Sequence, residues 1–111
     1  MRLSDEQWSF LQDVALLIVF AKINGLKLTG KDLLRKKGCP DYSETSNHSR
    51  GLAVDLALFM NGTYRKDTDA YRKLGNFWES LNDLNRWGGH FLNKDGRPDG
   101  NHFERVPEGW R

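Results

Sequence analysis

The residues in this chain that could do chemistry are three histidines and a few carboxylates: His48, Asp55, His90, Asp99 and His102. Asp55 is the most informative of them. It lies inside Leu52-Ala53-Val54-Asp55-Leu56-Ala57-Leu58-Phe59, which reads as a buried strand with Val54, Leu56 and Leu58 on one face and Ala53, Asp55 and Ala57 on the other. A carboxylate among aliphatic side chains is costly unless something positive meets it. Arg50 or another arginine would serve, and so would a metal ion. His48 stands seven residues before Asp55, with Gly51 between them offering a bend, and His102 follows Asp99 by three. Two histidines and a carboxylate that converge leave the fourth position of a tetrahedral zinc open to water. Water held there has its pKa lowered to about 7 and is a nucleophile at neutral pH. A second carboxylate can take its proton and pass it to a leaving amine. Asp99, in the turn Asp99-Gly100, is placed for that role.

These residues need elements to hold them. Ser4 with Gln7 three later has the form of a capping box opening a helix. Trp8, Leu11, Ala15 and Ile18 form one apolar stripe along it, and Phe10, Val14, Leu17 and Ala21 form a second. Two stripes predict a helix buried on most sides, ended by Asn24-Gly25. Residues 26–47 read as polar and irregular, with one short helix near Lys31 to Lys37. Asn61-Gly62 signals a turn after the strand. Tyr71, Leu74, Trp78 and Leu81 then recur at helical spacing from Thr68 to about Asn82, with Gly75 inside the run. Gly88-Gly89, Asp95-Gly96, Pro98 and Asp99-Gly100 make the last third rich in turns, before a short strand from Asn101 to Val106. A helix, a strand, a helix and a final strand predict an α+β fold with a small antiparallel sheet packed with helices.

The 111 residues suit a single domain, 1–111, and the mean hydropathy of −0.70 with 38% hydrophobic residues suits a soluble one with a modest core. Thirteen aromatic residues (four Trp, three Tyr, six Phe) supply much of that core's area. A net charge of +2 is too mild to argue for nucleic acid. Lys31, Arg35, Lys36 and Lys37 do cluster, either as a solvated face or as an attraction for an anionic polymer. Cys39 is the only cysteine, which excludes an intrachain disulfide and fits a small buried residue better than a ligand. The first residues lack the pattern of a signal peptide, and the apolar run Val14 to Ala21 is too short to span a bilayer. The expectation is a monomer made in the cytoplasm, without stable membrane association.

The segment "SNHSRGLAVD" fits the pattern S-x-H-x-x-G-x-A-x-D, and "DGNHFE" fits D-x-x-H-F-E, with "WGG" (Trp87 to Gly89) upstream of the second. Together they resemble the zinc peptidases of bacterial cell-wall peptides. That superfamily, of the Hedgehog/DD-peptidase fold, includes D-alanyl-D-alanine carboxypeptidases and dipeptidases and phage L-alanyl-D-glutamate endolysins. The resemblance spans roughly Leu26 to Glu104. It implies zinc ligands at His48, Asp55 and His102 and a catalytic carboxylate at Asp99, where relatives acting on D-Ala-D-Ala often carry Glu. It also implies an arginine upstream of the first histidine that binds substrate or stabilises the oxyanion. Arg35 sits where that arginine is expected, with Lys36 and Lys37 beside it as competitors for the match. Ser46 matches the serine two before the ligand, and either bonds substrate or shapes the loop. Asn101 and Phe103 read as structural and Arg50 as a surface residue. His90 departs from relatives with an acidic residue after the two glycines, and a fourth protein ligand there would close the zinc site.

The resemblance thus implies a zinc peptidase acting on the peptide stem of peptidoglycan. A phage or prophage endolysin cutting L-alanyl-D-glutamate, with no separate wall-binding domain, fits best. It would reach the wall once another protein opens the membrane. A D-alanyl-D-alanine carboxypeptidase keeps the fold and changes the bond. A non-catalytic zinc-binding module on the same scaffold, and a small structural protein without metal, are the other readings.

Overall fold

A computed structural model describes residues 2–32, 50–93 and 95–107. Helix α1 runs from Leu3 to Ile23, with Asp5 and Glu6 in its first turn, where negative charge suits the positive end of the helix dipole. Ser4 lies inside the helix, and Arg2 at its start makes no capping bond through its side chain. The expected capping box is therefore not formed. Gln7 is used elsewhere: its amide donates to the Arg50 carbonyl at 2.6 Å and ties α1 to the approach of the second strand. At the other end Gly25 is left-handed at φ +70°, with Leu26 N–H bonded to the Ala21 carbonyl and Gly25 N–H to that of Lys22. Those paired bonds satisfy carbonyls the last turn would otherwise leave open.

Strand β1 spans Lys27–Asp32, β2 Ala53–Met60, β3 Thr63–Arg65, β4 Asn85–Trp87 and β5 His102–Arg105, with α2 at Arg72–Leu81. All pairings are antiparallel, in the order β1-β2-β5-β4, and β3 also pairs with β2. Asn61-Gly62 joins β2 to β3 with both residues at positive φ, the turn that matches strand twist. The architecture is the α+β fold expected, with three strands unforeseen. Lys27–Asp32 takes the start of the segment read as irregular, so Lys31 and Asp32 are strand rather than helix. The remainder of that short helix, to Lys37, lies outside the described residues.

Val54, Leu56 and Leu58 of β2 and Phe103 of β5 turn toward the helices and join Phe10, Val14, Leu17, Leu74 and Trp78 in one core. Phe10 meets Trp78 edge to face at 5.5 Å, and Phe20 stacks on Phe77 at 4.0 Å, so aromatic pairs weld α1 to α2. The expectation for α1 was half right. Phe10, Val14, Leu17 and Ala21 are buried, but Trp8, Leu11 and Ile18 of the other stripe are exposed. Arg105, fully buried, fastens the inner face of α1 to the sheet by donating to Asp13 Oδ2 at 2.5 Å, Ser9 Oγ at 2.9 Å and Asn85 Oδ1 at 2.6 Å.

Trp87, also fully buried, explains the glycine in α2. A Cβ on Gly75 would lie 2.0 Å from Trp87 Cδ2, and one on Gly89 would lie 2.3 Å from the ring's far edge. The helix accepts the propensity cost of Gly75 so that the indole can pass beneath it. Gly75→Ala should therefore lower stability by about 1–3 kcal/mol through overpacking, although alanine favours helix. Urea midpoints of the two proteins measure this.

Candidate metal centre and active site

Residues alternate across the sheet, so the face opposite the helices receives Asp55 from β2, His102 and Glu104 from β5, and Arg86 from β4. Asp55 and His102 are register partners, as are Arg86 and Glu104. That register brings His102 Nδ1 to 3.0 Å from Asp55 Oδ1, and its Nε2 lies 2.5 Å from Glu104 Oε1. Asp99 arrives from the loop before β5. Donor atoms of Asp55, Asp99 and His102 all lie within 4.8 Å of one another, and this is the one such metal-competent cluster among the described residues.

The glycines of "WGG" put Asp99 there. Gly88 accepts the Asp99 N–H at 3.0 Å, and a Cβ on Gly88 would fall 2.1 Å from the Asp99 carbonyl oxygen. The same carbonyl accepts the His102 N–H at 3.1 Å, closing the turn between the two residues. Trp87 Nε1 donates to the Gly100 carbonyl at 2.8 Å. Asn101 locks the turn to β2 by donating to the Leu56 carbonyl at 3.0 Å and the Tyr71 hydroxyl at 3.1 Å. Its expected structural role holds, as does that of buried Phe103. Gly51, left-handed at φ +71°, supplies the bend expected just before β2.

The donor set suits a metal ion. Two donors each about 2 Å from a tetrahedral zinc sit roughly 3.3 Å apart, close to the 3.0 Å between His102 and Asp55. Burial alone would push the His102 pKa down. Hydrogen bonds that the ring donates to the Asp55 and Glu104 carboxylates, with their charge, outweigh it and raise the ring to about 9. A histidine flanked by two carboxylates in a buried place marks a site built to hold positive charge. With a metal ion held at Nδ1, the Nε2–H would remain available to donate to Glu104, which would fix the ring and raise its basicity.

Glu104 is the member of this cluster that sequence reasoning passed over, though it stood in the quoted motif. The signal was its spacing: two residues after His102 on a strand, it must share that histidine's face. Arg86 backs it, with Nη1 3.7 Å from Glu104 Oε2 and its guanidinium 4.1 Å from the Phe91 ring. His90 lies outside the cluster, its Nδ1 2.8 Å from Glu79 Oε1 and its ring edge-on to Trp87. The assignments at Arg35, Ser46 and His48, and the reading of Cys39, fall outside the described residues.

Residues 41–105, more than half of the chain, match the family described as D-alanyl-D-alanine carboxypeptidase. The chain belongs to that family. It is thus a peptidase of the peptidoglycan class, a hydrolase. Among solved structures it resembles the L-Ala D-Glu endopeptidase ChiX of Serratia marcescens, with a TM-score of 0.65 and 16% identity, over 95% of this chain and 86% of that one. That likeness shows a shared fold. No curated protein matches by sequence.

Two outcomes follow from the family member's geometry. Glu104→Gln should weaken metal binding about 10- to 100-fold while the circular dichroism spectrum is kept, as read by competition with a chromophoric chelator. With a chelator present, the raised pKa of His102 makes its contribution to stability complete below about pH 6.5 and lost as pH rises through about 9. Denaturant unfolding at pH 6 and pH 9.5 should differ by a term on the order of 3 kcal/mol that His102→Asn removes.

Proposed function

We propose that this chain is a zinc-dependent endopeptidase that cuts the L-alanyl-D-glutamate bond in the peptide stem of peptidoglycan, as an endolysin does. The observation that carries this reading is the convergence of Asp55, His102 and Asp99 on one point of the sheet. In it, Asp55 and His102 hold the ion together with His48, and Glu104 keeps the His102 ring oriented. A zinc ion bound there supplies Lewis acidity and lowers the pKa of water to about 7. Asp99 accepts the proton of the attacking water and returns it to the departing amine. Arg35 binds substrate or steadies the developing oxyanion, and Ser46 hydrogen-bonds substrate. Burial around Asp55 and His102 strengthens the polar contacts those two residues make relative to water.

The choice of bond rests on two supports. The fold is shared with ChiX, an L-Ala D-Glu endopeptidase, and position 99 carries Asp rather than Glu. The second reading, a D-alanyl-D-alanine carboxypeptidase, is favoured by the description of the matched family. Digestion of intact peptidoglycan with zinc, read by mass spectrometry, separates them. New L-Ala carboxyl and D-Glu amino ends are expected, and release of free D-Ala alone would move the chain to the second reading. Asp99→Ala should slow turnover about 10²- to 10⁴-fold while zinc is still bound.

A further inference from the structure

Helix α1 is apolar nearly all round, and its outer half has no partner among the described residues. Trp8 is 62% exposed, Leu11 57%, Leu16 50%, Ile18 50%, Val19 52% and Ile23 78%. With Ala15 they occupy contiguous positions on the outward half, interrupted chiefly by Gln12 and Lys22. Leu11 and Ile18 continue into an apolar groove of about 450 Å³ between α1 and strands β1 and β2, which also takes in Phe10, Val14, Leu28 and Val54. The exposed side chains leave on the order of 600 Å² of apolar surface. That is the upper end for the largest patch on a monomer, and near the roughly 800 Å² each partner gives to a standard interface.

We infer that this face is a self-association surface on which two copies of the chain pair through antiparallel α1 helices. This departs from the monomer expected above. The helix is close to self-complementary about its middle. Ala15 lies near the two-fold axis, where a small side chain lets the backbones approach. The Trp8–Leu11 half of one copy then lies against the Ile18–Val19 half of the other. Charge favours the antiparallel direction: it brings the acidic first turn of one copy, with Asp5 and Glu6, within about one turn of Lys22 in the last turn of the mate, whereas a parallel pair would align like charges. A lipid surface fits less well. Helices that lie on anionic membranes are rich in lysine and arginine, and α1 carries one lysine against Asp5, Glu6 and Asp13.

Sedimentation velocity of the full chain over a concentration series tests the inference. A reversible dimer with a Kd below about 100 µM is expected. Val19→Glu, at an exposed position, should raise that Kd at least about tenfold and leave the melting curve and metal affinity unchanged. In a Cys39→Ser background, Ala15→Cys should oxidise to a linked dimer and Asp5→Cys should not. A wild-type monomer at 100 µM, by itself or with adsorption to phosphatidylglycerol vesicles, would overturn the inference. So would a dimer indifferent to Val19→Glu, and equal cross-linking at Asp5 would overturn the antiparallel arrangement.

Discussion

Everything at the site depends on one cross-strand pair. Asp55 and His102 face each other on β2 and β5, and their side chains meet at 3.0 Å. A slip of one residue in that pairing, with β2 held in place, would turn His102 toward the helices and bring Phe103 to the open face beside Asp55. The apolar side of the same strands prevents the slip. Val54 and Leu56 are committed to the core beneath α1, and Phe103 packs edge to face on Trp78. Register is thus specified by burial on one face and used for chemistry on the other.

The turn that delivers Asp99 is controlled from the core as well. Trp87 is gripped between Gly75 and Gly89, and its indole N–H holds the Gly100 carbonyl. Gly88, between them, allows backbone contact with Asp99 that no larger residue would permit. The three glycines around one tryptophan therefore act as a template for the loop. The turn keeps its form through fixed backbone bonds, from the Asp99 N–H to Gly88 and from the His102 N–H to Asp99.

Much of this was readable in the residues. Asp55 betrayed itself as a charge in an aliphatic strand, and the two histidine motifs led to the family and the fold. Short polar strands were harder: Asn-Arg-Trp of β4 and Thr-Tyr-Arg of β3 have too few residues to show alternation, and Lys-Leu-Thr-Gly-Lys-Asp of β1 looks like a loop. Their strand character comes from the neighbours they pair with. The outer stripe of α1 misled for the opposite reason. Apolar periodicity announces that a face will be covered without saying by what. Ser4 and Gln7 matched a capping pattern, but the Arg50 carbonyl competed for the Gln7 amide and won.

The sheet order carries a consequence for how the chain comes to be active. Among the described elements β5 comes last in sequence, yet it sits between β2 and β4. It also brings Arg105, whose guanidinium reaches back across more than ninety residues to Ser9 and Asp13. Until β5 has been synthesised, β4 has no strand to pair with and Asp55 has no histidine opposite. Closure of such long loops is slow and comes late. A nascent chain still lacking this stretch thus has neither His102 nor Glu104 beside Asp55, and the cluster forms in the same step that completes the sheet.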